Sequence, residues 1–337
     1  MRLVQRVGVL LLGAGWGPPS GWLEGPRLHT DHIHGWCPCS TGALTSVGGA
    51  ILTERWILTA AHCLASHSKE FLIGVRVVVG EFDQGAEDEE KQAFLIKSVS
   101  VHEKYHHALP MNYDIALMDL DQHIVLGTHV QPIGLPLPDD SIQPGTSCIM
   151  GGWGRMKEKG RVPAVLREVK LDLVDPARCQ HVLHAARSST RPRRPAQPQP
   201  AMTVLCAGPE GGGRDACQVY GEHLLHHHST GTRGGPLVCP AGAGEGRWVA
   251  LGVASWGKGC GRSWGKNSSR PAARRGSPGV FTDVRLLLPW ITSRLRQADE
   301  PQQRTSVSMN SAAADPAVQR SDIRAHVEQS SEDEDYS

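Results

Sequence analysis

The sequence carries almost no net charge: 35 Lys and Arg against 34 Asp and Glu leave +1 over 337 residues. A balance that close creates no field able to steer the chain toward nucleic acid or an acidic membrane, so any partner has to be recognised locally. Long apolar runs are missing as well. No stretch approaches the roughly 20 residues that cross a bilayer, and no membrane span is expected. Internal repeats are absent, which argues against solenoid and propeller architectures. An even cysteine count is lacking too; with nine, at least one must stay out of intrachain pairing, bond to another chain, or leave with a cleaved segment. What is present, 39% apolar and 20% charged residues, can bury one large core or two modest ones.

The chain opens with Arg2 and Arg6 ahead of a short apolar run, Val7 to Leu12, and then small residues. That layout predicts a secretory signal peptide over residues 1–17, and with it an exported chain in which disulfides can form. Residues 18–45 match no pattern that we can assign. Between residues 46 and 290 the sequence is a series of short runs broken by Gly and Pro: AILTERWILTA, RVVVGEF, AFLIKSVSV, IALMDL, CIMGGWG, LREVKLDLV, PLVC, WVALGVASWG and GVFTDV. Regularly spaced short strands with turn residues between them predict an all-β barrel or sandwich. A helix is expected only at the end, where LLLPWITSRLRQ sets Leu288, Ile291 and Leu295 on one face. The Pro- and Arg-rich residues 188–202 read as a surface loop. Residues 298–337 are polar and end in SSEDEDYS, a composition expected to stay disordered, with an acidic end open to a basic partner.

Several motifs carry chemistry. LTAAHC (residues 58–63) ends a strand-like run on His62, and NYDIALMDL (residues 112–120) sets Asp114 at the head of an apolar strand. A lone histidine is more often structural than catalytic, and a buried carboxylate needs a partner. The two residues answer each other's need, because a buried Asp fixes the tautomer of an imidazole base and stabilises its cation. HLLHHH (residues 223–228) supplies imidazoles, but no Cys or carboxylate ligand is placed to complete a zinc site, so no metal or other cofactor is expected. NSS at Asn267 is a glycosylation sequon.

Taken in order, GGAILTERWILTAAHC, DIAL, GGWGR, GRDACQ, GGPLVC, SWGKGCG and GSPGVFTDV resemble the trypsin-type, chymotrypsin-like serine proteases over residues 46–297. The long spacing around GCGRSWGKNSSRPAARRGSPGVFTDV resembles the ovochymase branch, whose members usually carry further domains; nothing after residue 298 looks like one. The resemblance implies two six-stranded antiparallel barrels with a C-terminal helix and a polypeptide substrate or a protease or inhibitor partner. It implies His62 as general base and Asp114 as its orienting carboxylate. Asp215 would lie at the floor of a pocket for substrate Arg or Lys, and Ser255, Trp256 and Gly257 would form its wall and the edge that pairs with an extended peptide. Disulfides would join Cys148 to Cys239, Cys179 to Cys206 and Cys217 to Cys260. Cys63 would normally bond to a cysteine at position 47, which here is Val47; Cys37 and Cys39 have no assigned partner, and capture of Cys63 by one of them stays open.

Three departures bear on activity. The nucleophile position holds Arg233, preceded by Gly231 and Thr232. A guanidinium stays protonated and cannot attack a carbonyl, and at about 4 Å it would oppose an imidazolium by roughly 4 kcal/mol at an effective dielectric near 20. The backbone N–H groups of Gly231 and Arg233 would be the oxyanion donors, yet the insert over residues 219–230 runs straight into that turn. No Ile-Val-Gly-Gly activation sequence precedes His62, and Thr232 stands where its Asp partner belongs. The insert keeps the frame on both sides, as a splice variant, a gene-model error or a genuine pseudoenzyme would.

Overall fold

The computed structural model describes residues 5–12, 30–39, 43–86, 89–109, 112–153, 163–188, 202–213, 233–241, 247–257, 262–265 and 275–299. Met1–Gln297 form one compact unit and Ala298–Ser337 a second; the acidic tail lies outside the described residues.

The β-rich runs fold into two curled sheets, antiparallel apart from one pairing. The first contains β1 (Gln5–Leu12), β2 (Thr30–Cys39), β3 (Ala43–Val47), β4 (Ala50–Ile51), β5 (Trp56–Thr59), β6 (Val75–Val79), β7 (Gln92–Val101) and β8 (Ala116–Leu120), in the order β3-β2-β1-β6-β7-β8-β5-β4. The run AILTERWILTA breaks into β4 and β5 because the Thr53 hydroxyl accepts backbone N–H bonds from Arg55 (3.3 Å) and Trp56 (3.2 Å), closing a tight turn that sets Ile51 opposite Ile57. The alternation in β7 puts Phe94 and Ile96 inward and Leu95 and Lys97 outward, whereas the continuous apolar run of β8 is buried at every position. Asp119 survives inside β8 because Arg55 reaches it with two bonds, at 2.8 and 3.0 Å.

The second sheet holds β9 (Ser147–Gly152), β10 (Arg167–Asp172), β11 (Val204–Ala207), β12 (Pro236–Ala241), β13 (Arg247–Trp256) and β14 (Gly279–Asp283), in the order β10-β9-β12-β13-β14-β11. The Cys148–Cys239 disulfide ties β9 to β12, with Cα atoms 4.3 Å apart, and Cys179–Cys206 ties a helix to β11, at 5.6 Å. The third expected pair, Cys217 and Cys260, lies outside the described residues. One core joins Ile57, Leu58, Val77 and Leu117 of the first sheet to Val238, Ala250 and Val253 of the second, and Ile291 of the C-terminal helix closes it. The sheets therefore share a floor, and whatever sits on their seam is positioned by both.

The all-β class, the two sheets and the C-terminal helix agree with expectation, but two features differ. The first sheet has eight strands rather than six, because β1 and β2 join it; β1 lies between β2 and β6, pairing parallel with β6. Helices are not confined to the end. α1 (Lys69–Ile73) starts where the Ser68 hydroxyl accepts from the Phe71 N–H. α2 (Pro176–Ser188) starts where Asp175 accepts from the Arg178 N–H at 2.9 Å, with Pro176 already set for a first turn. Its buried Cys179 and Leu183, four residues apart, make too narrow an apolar stripe to announce a helix. α3 (Leu288–Asp299) docks as predicted, with Ile291 fully buried and Leu288 and Leu295 against the same core.

Candidate active site

β5 ends at Thr59, and a single tight helical turn, Ala61–Cys63, follows at once. Ala60 and Ala61 are fully buried, so a bulkier side chain there would push the turn off the core; the two alanines let it sit flat and present His62. On the facing element, Tyr113 adopts φ 54, a left-handed conformation that few residues with a side chain take. Its N–H donates to the Thr203 hydroxyl at 2.7 Å. That kink delivers Asp114 just ahead of β8.

Asp114 is fully buried, and three donors converge on its carboxylate. Oδ1 accepts from the His62 backbone N–H at 2.8 Å. Oδ2 accepts from His62 Nδ1 at 2.7 Å and from the Ser255 hydroxyl at 2.5 Å. Its own carbonyl accepts from the Thr282 hydroxyl at 2.8 Å. A charge taken wholly out of water is tolerated only when so matched. Because Nδ1 gives its proton to Asp114, Nε2 is left as the acceptor, the tautomer a general base requires. Cys63 Sγ lies 3.4 Å from that nitrogen.

Arg233 lies on the opposite wall. It bridges Val47, and its carbonyl accepts from the Gly48 N–H at 2.6 Å. The next residue, Gly234, has φ 76, and its N–H donates to the Ala254 carbonyl at 2.9 Å. A Cβ on Gly234 would overlap the Thr59 hydroxyl and stand 3.2 Å from the Ala60 nitrogen. The Arg233–Gly234 turn is thus pressed against Thr59 and Ala60, the segment that leads into His62. Arg233 itself is buried, at 8% exposure.

The family model for trypsin matches residues 31–291. The chain belongs to the trypsin family. It is 36% identical over 249 residues to Ovochymase-2 of Mus musculus, covering 74% of this chain and 36% of the mouse protein. It is 35% identical over 254 residues to Serine proteinase stubble of Drosophila melanogaster, covering 74% of this chain and 27% of the fly protein. The chain therefore spans only about a third of the length of these curated relatives.

Within this trypsin-family frame, His62, Asp114 and Ser255 come together as one hydrogen-bonded set. Ser255, expected on the pocket wall, also holds the carboxylate, a role that no local pattern announces because 141 residues separate it from Asp114. Trp256 is half-buried beside it, and a Cβ on Gly257 would meet nothing within 4 Å, so the strand end borders open space. Thr282 and Thr203 were not singled out from the sequence at all. Asp215, Gly231, Thr232 and Asn267 lie outside the described residues. Among the described residues no group of three or more His, Cys, Asp or Glu could hold a metal ion, and no helix is long and apolar enough to cross a membrane.

Proposed function

We propose that this chain is a noncatalytic, secreted member of the trypsin family that binds extended polypeptide in the old substrate cleft. The observation that carries this reading is Arg233 on the turn packed against Thr59 and Ala60, the segment leading into His62, while the base and its carboxylate remain in register. His62 would accept a proton and Asp114 would orient it, but the guanidinium of residue 233 does not release its protons and has no lone pair suited to acyl transfer. In a well-studied serine protease, loss of the nucleophile alone lowers turnover about 10⁶-fold. Binding is a separate property. Ser255, Trp256 and Gly257 would pair with a peptide backbone, and Asp215 would receive an Arg or Lys side chain through charge-assisted bonds. Two disulfides and the Asn267 sequon support an extracellular setting.

A second reading is favoured by the intact hydrogen bonding around Asp114: the gene encodes a working endopeptidase that cleaves after Arg or Lys, and this chain is an altered product of it. Sequencing the transcript across residues 218–234 separates the two, since Gly-Asp-Ser before the GGP would support the enzyme. On the protein itself, a fluorophosphonate serine probe should leave no label, and Arg and Lys esters should give no burst. Calorimetry with an extended Arg-containing peptide should still show binding. Label that maps to a serine of this chain, Ser229 included, would overturn the noncatalytic reading, and a peptide that gives no heat would overturn the binding one.

A further inference from the structure

β13 should send Ala254 and Trp256 to one face, since side chains two apart along a strand point the same way. They part company. Ala254 pairs with Phe281 and packs into the buried cluster of Leu237, Leu251 and Phe281, whereas Trp256 pairs with Val280 and packs against a separate cluster of Cys179, Leu183, Met202, Cys206 and Val280. A one-residue shift in the ladder between Ala254 and Trp256 makes the switch. The residue it sets apart is Ser255, whose hydroxyl reaches Asp114. We propose that the Cys179–Cys206 link is a positioning device for the peptide-pairing edge: through α2 it holds Trp256, and so the strand end that meets extended polypeptide. The polypeptide half of this rests on the cleft binding extended chains; the positioning half does not.

The path is a row across three strands. Trp256 of β13 lies opposite Val280 of β14, and Val280 lies opposite Cys206 of β11. Cys206 is bonded to Cys179 in the first turn of α2, and Leu183, one turn further along and fully buried, presses on the same cluster. β11 is a four-residue strand at the edge of its sheet, where unpinned strands fray, so the link matters most there. α2 has a second attachment beside Cys179. Arg178 Nε donates to Glu210 Oε1 at 3.1 Å, and the Glu210 carbonyl accepts from the Trp264 and Gly265 N–H groups at 3.0 and 3.2 Å. That ion pair is half in solvent, with Glu210 51% exposed, and pairs of this kind hold little. The covalent link therefore does most of the holding. On the other flank β12 stops short: its pairing with β13 ends at Pro236–Val253, with Gly234 and Gly235 bonded to Ala254. Among the described residues, the strand end past Ala254 leans on β14, β11 and α2. A strand end left loose would have to be ordered when polypeptide binds, which lowers affinity.

The test uses the full chain and compares two double replacements, Cys179→Ala with Cys206→Ala and Cys148→Ala with Cys239→Ala. Each is followed by hydrogen exchange, urea unfolding and calorimetry with an extended Arg-containing peptide. Loss of the shorter link should speed amide exchange over residues 255–257 at least about tenfold relative to residues 57–59 of β5, and should weaken the peptide about two- to tenfold. Loss of the longer link should lower stability more yet move residues 255–257 less, an inversion that a purely structural bridge would not show. Leu183→Ala, which keeps the link, should reproduce the local exchange, and it decides the matter where the double replacement does not fold. Exchange over residues 255–257 that rises no more than over 57–59 overturns the proposal, as does an equal rise on loss of the longer link, or faster exchange with unchanged peptide affinity. A parent chain that gives no heat with the peptide removes the cleft reading alone, and the exchange still decides the positioning.

Discussion

Asp114 shows how one side chain can be both the most costly and the most useful group in the chain. Its carboxylate is removed from water and is acceptable because His62 contributes two donors and Ser255 a third. The three do different work. The His62 backbone bond fixes the tight turn, the Nδ1 bond fixes the ring, and the Ser255 hydroxyl fixes the carboxylate plane from the second sheet. Ser255→Ala deletes only the last of these, and at 1% exposure the vacated site lies away from solvent. Loss of one hydrogen bond to a buried charge should destabilise the fold by about 1.5–3 kcal/mol, read from urea unfolding at constant slope. A change below about 0.5 kcal/mol, the level of an ordinary surface substitution, would mean that Asp114 is held by His62 alone.

Among the elements, the C-terminal helix has the clearest environmental sensitivity. α3 docks through Trp290, whose indole N–H donates to Glu103 at 2.9 Å, and through Arg294, which pairs with the same carboxylate. Beneath them His102 stacks on Tyr113, with ring centroids 4.8 Å apart, and lies 5.1 Å from Trp290. Its Nδ1 accepts from the Lys104 backbone N–H at 3.1 Å, a bond that a doubly protonated ring cannot make. Burial, with Lys104 and Arg294 adding to it, holds the imidazole below its usual pKa; the Glu103 carboxylate 4.0 Å from Nδ1 pulls the other way without prevailing. A folded pKa below the unfolded one makes the stabilisation complete above about pH 6.5 and lost as pH falls toward the folded value, because the unfolded chain then binds the extra proton. His102→Phe keeps the stacking and removes the titration, so its melting temperature should fall less than the parent's between about pH 7 and 5; parallel curves would assign the acid sensitivity elsewhere. The elements were legible in unequal measure. All nine β-rich runs became strands because alternation or continuous burial is written into them. β11 is only four residues long, and β2 contains Pro38 and no clean alternation, so it is recognisable only through its pairing with β1, β3 and β6.

At the scale of the whole molecule, what a sequence can show depends on how far apart the cooperating residues are. His62 and Asp114 could be found because each closes a recognisable run, and the trypsin resemblance then joined them across 52 positions. Thr282, which bonds the Asp114 carbonyl from 168 residues away, sits inside a strand where nothing distinguishes it from any other β-branched residue. The same distances set the leverage of the covalent links. Cys148–Cys239 closes a loop of 91 residues and Cys179–Cys206 one of 27. In the chain-entropy account these restrict the unfolded state by about 4.5 and about 3.5 kcal/mol respectively. The longer link also joins β9 to β12 next to the pairs Met150–Leu237 and Ile149–Val238, so it fixes the register of the sheet that carries Ser255. Replacing both cysteines of a bridge with Ala should therefore lower stability more for Cys148 and Cys239 than for Cys179 and Cys206, with a gap near 1 kcal/mol in urea unfolding. If the shorter bridge proves the more damaging loss, unfolded-state entropy is not what these links chiefly act on, and the anchoring of α2 against β11 becomes the larger contribution to holding the second sheet together.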